Sequence, residues 1–165
     1  MFSPIIYLSY LSKGLHTLLT EAVGDLIYLA MLLLSGFIVY KSLQSLFLHP
    51  VMKHQLMSLN HLFVLVIVYV TIILGFGLMY TSLLLMDIHV LVKHGEVIGH
   101  RHFFHVIDDA MYFSSMTMLS VGYGDLTPLG AGRWLSIVEA LIGYLLPAAF
   151  VLSSVIDREP ASKKL

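Results

Sequence analysis

"TMLSVGYGDLTP", residues 117–128, sits between two apolar stretches, and its reading decides how the rest of the chain is understood. Eight of its twelve letters are Gly, Ser, Thr, Asp, Pro or Tyr, the composition of a tight polar turn rather than of a helix. Just upstream, Asp108 and Asp109 open "AMYFSSMTMLS", which reads as a short helix with the two acids capping its first turn. About a dozen residues is too few to cross a bilayer, which takes roughly 20. Just downstream comes a long apolar run. Short helix, polar turn and long run together read as a re-entrant hairpin. Non-helical backbone at membrane depth is tolerated only where protein buries it or where it lines a water-filled path.

Composition places the whole chain in lipid. It has 165 residues, 58% hydrophobic and only 12% charged, with a mean hydropathy of +0.89. A soluble domain carries about 25% charge. The net charge of -1 argues against a nucleic-acid partner. There is no Cys, so disulfides, thiolate metal sites and thiol catalysis are excluded. The first residues lack a basic leader and a small-residue cleavage site, so they do not read as a cleaved signal peptide.

Three stretches look long and apolar enough to span: 22–40, with Asp25 near one end; 61–86, with no charge; and 133–156, with Glu139 inside it. Before the first, Phe2, Ile5, Leu8, Leu11, Leu15 and Leu18 recur every three or four residues, one face of a helix that either lies in the interface or extends the first span. Residues 41–60 read as an amphipathic linker broken by Pro50, residues 87–105 as a polar loop rich in His, and residues 157–165 as a short charged tail. The division that follows is an N-terminal segment and first span (1–60), a central unit (61–156) and the tail.

The order Thr117, Ser120, Val121, Gly122, Tyr123, Gly124, Asp125 resembles the filter of the tetrameric potassium channel pore family. The resemblance covers about 62–156 and implies an outer helix, turret, pore helix, filter and inner helix; the N-terminal third lies outside it. The implied fold class is an all-α membrane protein with the potassium-channel pore fold and one additional N-terminal transmembrane helix. The implied ion ligands are Ser120, Val121, Gly122, Tyr123 and Gly124, whose carbonyls would replace the water around K+. Carbonyls that all face inward need alternating dihedrals, and Gly122 and Gly124 adopt positive φ at little cost. Ser120 stands where the family usually has Thr. It keeps the innermost hydroxyl and loses the methyl, so that site should be less rigid. The intact Gly-Tyr-Gly implies potassium selectivity.

The same resemblance ties Asp125 to Tyr112 on the pore helix behind the filter. Some relatives also carry a carboxylate nine residues before this Asp; here that position is Met116. Gly143 matches the inner-helix hinge glycine, with close helix packing as the alternative. Pro147, one turn on, frees the Gly143 carbonyl and should kink the helix. Tyr144, Pro147 and Val151 would then face the cavity. Glu139, a carboxyl deep in a span, reads either as a hydrogen-bonded support with Ser114, Ser115 and Thr117 or as a cation-attracting or protonation-sensitive site. His94, His100, His102 and His105 read as a solvated loop, an external metal site (His100, His102, His105) or a proton sensor. No span carries Arg or Lys at every third position, so voltage sensing of the usual kind is not expected.

The sequence reading is therefore a small potassium-selective channel, a homotetramer in the cell membrane with K+ in the filter and no other cofactor. Its partners are further copies of itself and the lipid bilayer. No paired carboxylates, triad or phosphate loop suggests an enzyme. A weakly selective cation channel and a non-conducting regulatory subunit are the alternatives. Three spans would put 87–105 and the N-terminus outside and 41–60 and the tail in the cytoplasm. A fourth crossing by the N-terminal stretch would put the N-terminus inside.

Overall fold

The computed structural model describes residues 4–48, 59–98 and 103–156. Four helices make the frame: α1 (Pro4–Leu48), α2 (Leu59–Leu85), α3 (Phe103–Met118) and α4 (Ala131–Ile156). Three short strands, β1 (Leu91–Lys93), β2 (Glu96–Val97) and β3 (Leu126–Pro128), form one antiparallel sheet in the order β2-β1-β3.

The helices follow the apolar spacing of the sequence. On α2, Ile72, Phe76, Tyr80 and Leu84 recur every four residues and are buried, one stripe of a 3.6-residue period. They meet Val106, Ala110 and Phe113 of α3, with the Tyr80 and Phe113 rings edge to face at 5.1 Å. Leu146 of α4 and Val90, Leu91, Ile98 and Leu126 from around the sheet complete the core. The opposite faces of α1 and α2 are apolar and exposed, among them Leu18, Leu26, Leu33, Phe37, Phe63, Ile67 and Val70. Lipid is the solvent in which such faces carry no cost.

The N-terminal amphipathic stretch does not lie separately: it continues the first span as a single helix of 45 residues, about 68 Å long at 1.5 Å per residue. α1 packs against α2 and shares no comparable contact with any other element. A Cβ on Gly75 would overlap the Val39 side chain, so the two helices meet at a small residue, with Ser35 and Val39 buried in the seam. That is how membrane helices approach closely.

Among the described residues two helices are long and apolar enough to cross a membrane, Thr17–Ser45 within α1 and Leu62–Leu85 within α2. α4 forms over the third expected span, with Pro147 inside it. Two expectations need correction. First, α3 begins at Phe103 and has no acid in its first turn. Asp108 and Asp109 are inside it and cap nothing, because the buried stripe through Val106 carries the helix one turn further upstream. Last, residues 87–98 are not a plain loop. β1 and β2 form a hairpin in the register Val92↔Val97 and Lys93↔Glu96. His94 and Gly95 turn the corner with φ of 50° and 84°, the positive pair a two-residue hairpin requires.

Candidate functional site

α3 ends on the polar segment through a specific C-cap. The Ser120 N–H donates to the Thr117 carbonyl at 3.1 Å and the Val121 N–H to the Met116 carbonyl at 2.9 Å, the paired bonds of a Schellman motif. The motif needs a left-handed residue, and Ser120 supplies it at φ 57°. Gly122 and Gly124 follow at φ 54° and 79°, while Val121 and Tyr123 between them are outside that region. The alternation expected from the two glycines is present, and Ser120 extends it by one step. Alternation of this kind turns successive carbonyls to the same side. Among the described residues, the carbonyls of residues 120–123 accept no backbone hydrogen bond, a row of acceptors open on the protomer surface. Val121, Tyr123 and the two glycines are exposed on the protomer surface.

The segment is held from behind at two levels. At its outer end Tyr112 of α3 sets its hydroxyl beside the Asp125 carboxylate, and the Asp125 carbonyl accepts the His94 N–H at 3.2 Å. Immediately after it, β3 pairs with β1 in the register Lys93↔Leu126, Val92↔Thr127 and Leu91↔Pro128. The chain leaving the segment is thereby sewn to the hairpin. Sequence reasoning missed this sheet. Its signal was present in "VLVKHGEVI", two β-branched runs around a two-residue turn ending in Gly.

At its inner end Glu139 of α4 is completely buried. Ser114 Oγ lies 2.5 Å from Glu139 Oε1, and the Tyr80 hydroxyl donates to Oε2 at 3.0 Å. Three helices therefore meet on one carboxyl group. Ser114 is the expected partner; Tyr80 was not foreseen. Ser115 instead donates to the Met111 carbonyl of its own helix, and among the described residues Thr117 makes no bond to Glu139. Ser114 Oγ also lies 2.9 Å from the Ile73 carbonyl. One hydroxyl hydrogen cannot serve two acceptors. A proton on Oε1 donated to Ser114, with Ser114 donating to Ile73, satisfies every group.

Gly143 sits directly behind the end of α3: a Cβ there would overlap the Met118 carbonyl oxygen. Pro147 has no N–H, so it leaves the Gly143 carbonyl without its usual helical donor. The Tyr69 hydroxyl takes the vacated place at 2.5 Å. Of the two readings of Gly143, the close contact is the one seen. Tyr144, Pro147 and Val151 are exposed along α4, the first two lining a groove with Tyr69, Met118 and Ser120.

Among the described residues no group of three His, Asp or Glu side chains could hold an ion. His100 and His102 lie outside the described residues. His105 is on the first turns of α3 and His94 is in the hairpin turn.

Residues 88–156, which include the hairpin, α3, the polar segment and α4, match the family model described as an ion channel. Two proteins named Protein LctB are similar to this chain. One, from Bacillus caldotenax, is 40% identical over 116 residues, 70% of this chain and 86% of the relative. The other, from Geobacillus stearothermophilus, is 42% identical over 119 residues, 72% and 87% of the two chains. No solved structure matches. With identity of this level across most of both chains, and the channel match falling on the very elements that build the polar segment, the chain belongs to this ion-channel family.

Proposed function

We propose that this protein conducts K+ passively through a homotetrameric pore whose filter is the segment 120–124. The observation that carries the reading is the positive φ at Ser120, Gly122 and Gly124, alternating along a run of carbonyls with no backbone donor. One copy offers a single file of oxygens. Around a fourfold axis the same file becomes stacked rings, each able to replace part of an ion's hydration shell. Ion binding answers the question of where those acceptors find partners, and neighbouring copies would cover the exposed Val121 and Tyr123. In this reading 61–156 is the pore domain, α4 lines the path below the filter, and the hairpin faces outside. Lipid surrounds the apolar faces of α1 and α2 in a multi-pass arrangement in the cell membrane. The Gly-Tyr-Gly order, with a Tyr held between two left-handed glycines, supports selectivity for K+ over Na+.

Purified full-length protein in liposomes is the test. Cation flux with a reversal potential that follows the K+ gradient is the expected result. Equal K+ and Na+ permeability would replace the reading with a weakly selective channel, and no flux would replace it with a subunit that conducts only in company.

A further inference from the structure

The outer end of the segment is tied twice to α3, and the second tie runs through the hairpin. Asp109 and Tyr112 are three residues apart on α3, on the same face of the helix. Tyr112 lies beside the Asp125 carboxylate. Asp109 accepts Lys93 Nζ at 2.5 Å. Lys93 precedes His94, whose N–H holds the Asp125 carbonyl, and it faces Leu126 in the β1–β3 ladder. These residues form a ring: Lys93, Asp109, one turn of α3, Tyr112 beside Asp125, the His94 backbone, and Lys93 again, with Lys93–Asp109 and His94–Asp125 as its bonded links. The two partners differ in exposure. The Asp109 side chain is 8% exposed and that of Lys93 33%, so the acid is committed to the interior and the lysine reaches in from the rim. A buried carboxylate is costly without a cation, and Lys93 is the one cation in contact with it among the described residues.

From this ring we infer that Lys93 and Asp109 are positioning residues for conduction: their ion pair clamps the hairpin to the pore helix and thereby holds Asp125 and the outermost filter carbonyls in the conducting geometry. The inference rests on the channel reading above. It assigns the hairpin a task, that of an external splint on the filter, exerted through the β1–β3 ladder and the His94–Asp125 bond rather than by any contact with the ion.

The difference in exposure makes the prediction asymmetric. Lys93→Met strands a buried acid, whereas Asp109→Asn frees a lysine that can turn to water. Full-length variants in liposomes are compared for the K+/Na+ permeability ratio and for the fraction still conducting after a period in K+-free, Na+-containing buffer. Both are ratios, so a lower yield of folded protein does not move them. Lys93→Met should reduce each by about tenfold, Asp109→Asn by a smaller factor, and Lys93→Arg should behave as the unmodified chain. The double variant Lys93→Met/Asp109→Asn carries no stranded charge and decides the matter if Lys93→Met does not assemble; it should lose about threefold, the share owed to the lost clamp. Unchanged ratios in the double variant, or a Lys93→Arg chain as impaired as Lys93→Met, overturn the inference while leaving the channel reading intact. An unmodified chain that passes no K+ overturns both.

Discussion

Glu139 illustrates how the count of hydrogens at one residue constrains function. The carboxyl has two neighbours with hydroxyls, Tyr80 and Ser114, and Ser114 has a second acceptor in the Ile73 carbonyl. A neutral acid completes this arrangement, and an amide would do so equally: Gln offers an NH2 to Ser114 and a carbonyl to Tyr80. Glu139→Gln should therefore keep the stability of the solubilised protein and its conductance. Glu139→Leu leaves the buried Tyr80 hydroxyl without its acceptor, while Ser114 keeps the Ile73 carbonyl, and should cost about 1–3 kcal/mol, read as a lower midpoint of thermal unfolding in detergent. A clear fall in conductance for the Gln variant would mean that the negative charge itself acts on the ion. Ser120 makes a similar point about local cost. It is a non-glycine residue at positive φ, a conformation that costs an L-residue roughly 1–2 kcal/mol, and the helix cap made by Ser120 and Val121 offsets it.

At the scale of elements, the junction of α2, α3 and α4 behaves as a clasp. Gly143 lets α4 touch the end of α3, Pro147 withdraws the helical donor from the Gly143 carbonyl, and Tyr69 of α2 supplies another. A hinge here would have to release that bond. Tyr69→Phe should weaken the junction by about 0.6 kcal/mol, the usual size of an interhelical hydrogen bond in membranes. In a Pro147→Ala background, where residue 147 regains an N–H for the same carbonyl, the effect should shrink. A double-mutant cycle on thermal stability measures that coupling, and strictly additive effects would separate Tyr69 from the proline. Gly143→Ala should be worse than either, because the added methyl meets a backbone oxygen that no side-chain rotation can move.

For the molecule as a whole, α1 stands apart from the pore elements. It touches α2 alone to any extent, through a seam centred on Ser35, Val39 and Gly75, and among the described residues it contributes none of the hydrogen bonds around the filter. A chain beginning at residue 59 should therefore still conduct K+ with the full selectivity while unfolding at a lower temperature, because the face of α2 it uncovers is apolar and lipid can replace the helix. Loss of selectivity on removing α1 would show that the helix reaches the filter through the assembly.

The letters alone determined the chemistry of the segment 120–124. Which residues can take positive φ and which lack an N–H are properties of single residues, so the glycine alternation and the missing donor at Pro147 were legible in order and spacing. The same is true of the helices at α2 and α4, whose apolar periods are local. Only the tertiary structure decided who answers whom. Tyr80 and Glu139 are 59 residues apart and Tyr69 and Gly143 are 74 apart, and no spacing rule joins positions so distant. Lys93 reads as a loop charge until the hairpin turns at His94 and Gly95 and lays it on Asp109. The acids at 108 and 109 read as caps for the same reason: a helix start is a local signal, whereas the buried stripe that moved it to Phe103 exists only once α2 is packed against α3.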